Sequence, residues 1–82
     1  MTVVEARNLI EANKKSSIDN VLNIIYARIE EKSKKGWNRM CISEELPQLF
    51  TDYDTAIISE AYVSLRENGF KINSMTHFVI WG

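Results

Sequence analysis

The residues best suited to catalysis in this chain are its single cysteine, Cys41, and its single histidine, His77. A thiol acts as a nucleophile when a base lies beside it and a third group orients that base. The two side chains could meet if the strands that carry them pair, but the sequence offers no third member at a known spacing. Two ligands are also too few for a structural zinc site. We therefore expect a buried, unreactive Cys41, a structural His77, and neither a metal nor a cofactor.

Carboxylates and glycines give no stronger indication of an enzyme. The Glu-Glu pairs at 30–31 and 44–45 are adjacent in sequence, so each pair divides between two faces of its element and does not suit glycoside chemistry. Gly36, Gly69 and Gly82 stand alone, which excludes a glycine-rich phosphate loop. The expectation is a protein without catalytic activity.

Length and composition indicate one globular domain over residues 1–82, with 45% hydrophobic and 26% charged residues. No apolar run approaches the ~18–20 residues that span a bilayer, so we expect no membrane segment. Charged residues interrupt the only apolar stretch near the N-terminus, so we expect no signal peptide. The lone cysteine fits a reducing compartment.

Apolar spacing and capping residues predict three helices. The first begins with a capping-box spacing from Thr2 to Glu5, and the segment NKKSS then breaks its pattern. Isoleucine, valine and leucine residues form one continuous stripe along the second helix, which makes it the most strongly indicated element. The predicted helices run from Thr2 to Asn13, from Ser16 or Ser17 to Gly36, and from Asp52 or Asp54 to Asn68-Gly69.

Three strands complete the predicted fold. The segment WNRMCIS is the first strand, and a hairpin joins a second strand at Phe70 and Ile72 to a third strand from His77 to Trp81. The order α-α-β-α-β-β predicts an α+β domain with three helices packed on a three-stranded antiparallel sheet. If the connection EELPQLF contains a helical turn, residues 17–82 have the element order of a winged helix-turn-helix, which is a DNA-binding motif.

The charge distribution argues against DNA as the partner. The third predicted helix, which would enter the groove, carries Asp54, Glu60 and Glu67 against Arg66 alone. Five of the other basic residues form a rim that is either solvated or a non-specific nucleic-acid contact, and we expect the first. This basic rim consists of Lys14, Lys15, Lys32, Lys34 and Lys35.

The closing strand is apolar on both faces. Alternation predicts that Phe78 and Ile80 point towards the helices, and that Val79 and Trp81 point to the opposite side. Such a strand usually lies in the middle of a sheet that is covered on both sides. The second side is then covered by the first helix, left partly exposed, or covered by a partner. The predicted partner interface consists of Val79, Trp81, Trp37 and Cys41.

The two halves of the chain also differ in charge. Residues 1–39 hold eight Lys and Arg against five Asp and Glu, a net +3, whereas residues 40–82 hold two against six, a net −4. The difference reflects either two solvated faces or polar docking to a protein partner or a second copy, head to tail.

Several segments together resemble small proteins of tailed bacteriophages. In those proteins an EAR helix precedes an I…I…A…G helix, and the chain closes on an L…GF.I…I.W hairpin. The matching segments here are EARNLIEAN, VLNIIYARIEEKSKKG, LRENGFKI and FVIWG, although IWG replaces the commoner ISW. The resemblance implies a compact α+β domain of the phage particle or the infected-cell cytoplasm, and it carries no catalytic residues with it.

These observations predict a small phage-encoded, non-enzymatic interaction or structural protein. It would be a minor particle component or a binder of a host protein, located in the virion or the host cell cytoplasm. We expect a protein partner or a homo-oligomer, no membrane, and no nucleic acid. The alternative is a winged-helix-like nucleic-acid-binding protein.

Overall fold

The computed structural model describes residues 1–82 and confirms an α+β fold with a three-stranded antiparallel sheet. The predicted number of three helices is wrong, because the two N-terminal helices are one and two short helices precede the last long one. The elements are α1 Val3–Lys34, β1 Arg39–Cys41, α2 Ile42–Glu45, α3 Gln48–Asp52, α4 Thr55–Glu67, β2 Lys71–Asn73 and β3 Phe78–Ile80.

Helix α1 begins with the predicted capping box. The backbone N–H of Glu5 donates to Thr2 Oγ1 at 3.2 Å, and the backbone N–H of Thr2 donates to Glu5 Oε2 at 3.4 Å. These two bonds use backbone donors that have no partner inside the helix. The cap therefore fixes the start of α1 without any tertiary contact.

The predicted break between Asn13 and Ser16 is absent, and α1 is continuous over 32 residues. Asn and Ser are weak helix formers that cost only about 0.5 kcal/mol each relative to Ala, and no Gly or Pro lies in this stretch. Because each added residue contributes a hydrogen bond to an existing helix, such small costs do not end it. Ser16 and Ser17 are therefore helix-interior residues and not caps.

Glycine ends both long helices, as predicted. Lys35 caps the end of α1, and Gly36 follows it with φ +85°. At the end of α4, Asn68 is the cap and Gly69 has φ +93°. A residue without a Cβ adopts this left-handed conformation without steric cost, so the chain can turn back towards the sheet.

The sheet has the order β1-β3-β2, which confirms that the closing strand is central. Val79 lies opposite Met40 on one side and opposite Ile72 on the other. This residue is fully buried, so the row formed by these three residues is the side of the sheet that faces the helices. The C-terminal strand is thus held by hydrogen bonds along both of its edges.

The predicted faces of β3 are wrong. Phe78 and Ile80 lie on the outer side of the sheet, 41% and 43% exposed, and Val79 enters the core instead. The hairpin loop sets this register: His77 adopts φ +60°, its N–H donates to the carbonyl of Asn73, and Asn73 pairs with Phe78. An all-apolar run carries no alternation of its own, and a register shift of one residue exchanges the two faces.

The core lies between α1, α4 and the inner side of the sheet. Val21, Ile25 and Ile29 of α1 pack against the apolar side of α4. Val79 of β3 contributes to the same cluster from the inner side of the sheet. The α4 residues in this core are Ile58, Ala61, Tyr62 and Leu65, which confirms most of the predicted stripe of that helix. Only the second half of α1 takes part, so the first half is left without cover.

Candidate interaction surface

The N-terminal part of α1 projects beyond the core and exposes apolar side chains. We name residues 3–13 the helical arm; none of them is buried. Val3, Val4, Leu9 and Ile10 are between 53% and 68% exposed. The whole molecule measures 51 × 24 × 22 Å, and the 32-residue α1, about 48 Å long at 1.5 Å per residue, accounts for the long dimension. Four of the eleven exposed large hydrophobic residues of the chain therefore lie on the arm.

One line of residues runs along the arm and continues past it. Its spacing alternates between three and four residues, which keeps side chains on one side of a helix. We name this line the seam. The seam consists of Val3, Ala6, Ile10, Asn13 and Ser17.

The seam is not in line with the part of α1 that enters the core. At 100° per residue, it points roughly 80° away from the line through Val21, Ile25 and Ile29. The line through Val21, Ile25 and Ile29 faces the core, whereas the C-terminal part of the seam faces the turn between α3 and α4. This change of phase is the sequence signal for an uncovered arm, and it is visible only when the helix is taken as continuous.

A cleft of about 540 Å³ lies where the arm leaves the body. Ile10, Asn13 and Ser17 of the seam form one wall. The opposite wall is the turn between α3 and α4 with the first residues of α4, namely Asp52, Tyr53, Asp54, Ala56 and Ile57. Lys14 also lines the cleft and is paired with Glu60. The cleft thus combines apolar side chains with one paired lysine and two carboxylates, neither of which is part of an ion pair.

An ion pair ties α1 to α4 at this position. Lys14 Nζ contacts Glu60 Oε1, with both side chains partly exposed. A partly exposed ion pair contributes only about 0–1 kcal/mol to the free energy of unfolding, so this pair is a minor source of stability. Lys14 lies between the helical arm and the packed residues 18–34 of α1.

The four predicted interface residues do not form one surface. Val79 is fully buried and Cys41 nearly so, and neither is available to a partner. Trp81 packs partly on the core, and its Nε1–H donates to Ser33 Oγ at 2.8 Å. Trp37 alone is exposed, at 54%. The prediction that this set forms an interface is therefore corrected for Val79 and Cys41.

No helix covers the outer side of the sheet. Ile80 lies there between Arg39 on β1 and Lys71 on β2, and neither cation is part of an ion pair. Phe78 occupies the next row, and pairs in register with Cys41 and Asn73. This small surface is half apolar and carries no acidic side chain.

The basic rim divides into two groups along α1. Lys14 and Lys15 lie about 27 Å from Lys32 and its neighbours, as 18 residues of helix separate the groups. Lys32 Nζ pairs with Glu45 at 2.8 Å and lies 5.3 Å from the centre of the Trp37 ring. Lys34 pairs with Glu30 at 3.4 Å, whereas Lys15 and Lys35 have no carboxylate partner.

The structure brings Cys41 and His77 into one region but does not couple them. The ring Nδ1 of His77 is 2.8 Å from the hydroxyl of Tyr62, and the Cys41 Sγ instead contacts Ser43 Oγ at 3.2 Å and the Thr76 carbonyl at 3.5 Å. Burial, with a smaller contribution from Cys41, raises the pKa of Tyr62 to about 12. The phenol therefore stays protonated at neutral pH and can donate to the imidazole, which holds the hairpin loop against α4.

Metal ligands and membrane-spanning helices are not found. No group of three or more His, Cys, Asp and Glu side chains could hold a metal ion. None of the helices combines the length and the apolar character that crossing a bilayer requires. No family model, curated protein or solved structure matches the chain.

Proposed function

We propose that this chain is a small phage-encoded, non-enzymatic protein that binds protein through its helical arm. The observation that carries this proposal is the exposure of Val3, Leu9 and Ile10 on a helix that the domain itself does not cover. Exposed large side chains are common singly, but several of them together on one projecting helix are typical of a protein interaction site. The phage origin rests on the sequence resemblance alone.

Affinity capture from infected cells tests the arm. The bait carries Val3→Asp and Ile10→Asp together, and the matched control carries Val63→Asp, which changes an exposed valine on α4. We expect the unaltered bait and the control to capture the same proteins and the arm variant to lose them, because a charge in an apolar contact is strongly unfavourable. Capture that is indifferent to the arm variant would contradict the proposal.

Mass spectrometry of purified particles separates the two forms of the proposal. A minor particle component is found in purified virions at a fixed ratio to the other virion proteins. A binder of a host protein is found in infected-cell lysate and is removed during particle purification. The two fractions are compared from one infected culture.

The second candidate function is winged-helix-like nucleic-acid binding. The order α1, β1, two short helices, α4 and a hairpin favours it, as does the central place of β3. Against it, α4 exposes Glu67 beside Arg66, and Glu60 is paired with Lys14. Retention on duplex DNA that falls steeply with salt would support this candidate, and no retention at low salt would remove it.

A further inference from the structure

We infer that the partner of the helical arm is a second copy of this chain, with the two arms packed antiparallel about a two-fold axis near Ile10. The inference rests on the proposed function, since it names the partner of the same surface. Each protomer offers two complementary features, an apolar helix end and a cleft beside it. About a two-fold axis, the helix end of each protomer binds in the cleft of the other, so both pairs of features are in contact.

The spacing of the seam fits this symmetry. Ile10 belongs both to the exposed arm and to the wall of the cleft. Val3 precedes it by seven residues and Ser17 follows it by seven, about 10.5 Å in each direction. An axis at Ile10 therefore places Val3 of each protomer next to Ser17 of its partner, inside the cleft.

The cleft matches the helix end that would enter it. Tyr53, Ala56 and Ile57 provide apolar surface for Val3, which is 68% exposed in the single chain. Asp52 and Asp54 lie on the same wall, and the Asp54 side chain does not cap α4. The N-terminus of a helix carries the positive end of its dipole, and unpaired carboxylates attract that end.

The position of α4 decides the direction of pairing. Ala56 and Ile57 lie beside Asn13 and Ser17, on the side of α1 to which the seam points. In a parallel pair the α4 helices of both protomers would occupy that same space. In an antiparallel pair only the first turns of the partner helix lie beside the start of α4, in the cleft, and the two bodies lie at opposite ends.

Sedimentation equilibrium of two neighbouring variants tests the inference. Val3 and Val4 have nearly equal exposure and the same side chain, but they point 100° apart around the helix, and only Val3 is in the seam. We expect the unaltered protein to approach twice its 9.5 kDa chain mass with rising concentration. Val3→Asp should weaken the dimer roughly tenfold or more, and Val4→Asp should leave it nearly unchanged.

Circular dichroism and thermal unfolding are measured for each variant as a folding control. Both variants should stay folded, because the arm contributes no residue to the core. A monomer at every concentration would overturn the inference, as would equal weakening by Val3→Asp and Val4→Asp. A monomer whose arm still captures another protein would leave the proposed function standing. A dimer that neither Val3→Asp nor Ile10→Asp disturbs would place self-association elsewhere on the chain and overturn the inference.

Disulfide trapping tests the antiparallel arrangement separately. In a Cys41→Ala background, Ile10→Cys should cross-link to its own copy, because this residue lies at the axis. Val3→Cys should cross-link to Ser17→Cys in a mixture of the two variants, and not to itself. Self-cross-linking of Val3→Cys would indicate a parallel pair and overturn this arrangement, as would a dimer in which Ile10→Cys fails to cross-link.

Discussion

Residues 18–34 of α1 bury Val21, Ile25 and Ile29 against α4 and the sheet, whereas residues 3–13 of the same helix bury no side chain. Both halves belong to one continuous α-helix, and their surroundings differ. An 11-residue helix alone would be marginal in water, since forming the first turn is costly. The arm avoids this cost because it extends a helix that the core already holds, and Thr2 caps its free end.

The comparison teaches that the length of a helix and the length of its packed face are set by different forces. Capping, propensity and the absence of Gly and Pro set the first. The position of α4 and the sheet sets the second. A helix that extends beyond its packed residues exposes apolar side chains on a rigid backbone. Such side chains are suited to binding a partner.

The largest expected difference is in core stability. Ile25→Ala removes a fully buried side chain and should lower the free energy of unfolding by about 3–4 kcal/mol. Ile10→Ala removes an exposed side chain and should change that free energy by less than about 0.5 kcal/mol at concentrations where the protein is a monomer. Urea denaturation monitored by circular dichroism measures both, and equal losses would show that the arm is part of the core.

A titration at high pH sharpens the comparison, because Tyr62 belongs to the packed region and the arm holds no buried ionisable group. Its pKa of about 12 in the folded protein lies above the ordinary value of 10.0. The folded state therefore holds this proton more tightly, so stability is intact below pH 10 and falls as the pH rises through 12. Tyr62→Phe should cost about 1 kcal/mol at neutral pH through the lost bond to His77.

Chemical denaturation at several pH values between 8 and 12 checks this prediction for both proteins. All other ionisable groups are common to both proteins, so their contributions cancel in the difference. The variant should lose less stability than the unaltered protein above pH 10. Parallel curves for the two proteins would show that burial does not hold the Tyr62 proton.

The smallest expected effect is that of the helix cap. Thr2→Ala removes the acceptor for the Glu5 backbone N–H and should cost about 1 kcal/mol of local helix stability. Because the arm is outside the core, its first turns should fray while the global melting temperature hardly changes. Backbone chemical shifts of residues 3–6 report the fraying, and a large fall in melting temperature would indicate that the arm supports the core.

The ends of the two long helices were predictable because they rest on local chemistry. The capping box at Thr2 and the glycines that end α1 and α4 follow from neighbouring residues, and Asp54 is one of the two residues predicted to begin α4. The central place of β3 followed from its apolar character on both faces. These features need no knowledge of what lies far away in sequence.

The remaining features depend on non-local contacts and were not predictable. Whether a helix ends between Asn13 and Ser17 depends on the tertiary contacts of the segments before and after that stretch. Only the segment after it packs on the core. The faces of β3 depend on the hairpin register, which the left-handed His77 sets and the run from Phe78 to Trp81 does not reveal. The uncovered arm follows from the continuity of α1, and the burial of Val79 follows from the hairpin register.

Amide hydrogen exchange at rising protein concentration tests the central claim, that the arm is uncovered in the single chain and covered by a second copy. Residues 18–34 should exchange slowly at every concentration, because the core protects them. Residues 3–13 should exchange quickly in dilute solution and become protected as the dimer forms, in step with the sedimentation mass. Protection of the arm that is already complete in dilute monomer, or absent in concentrated dimer, would contradict the account.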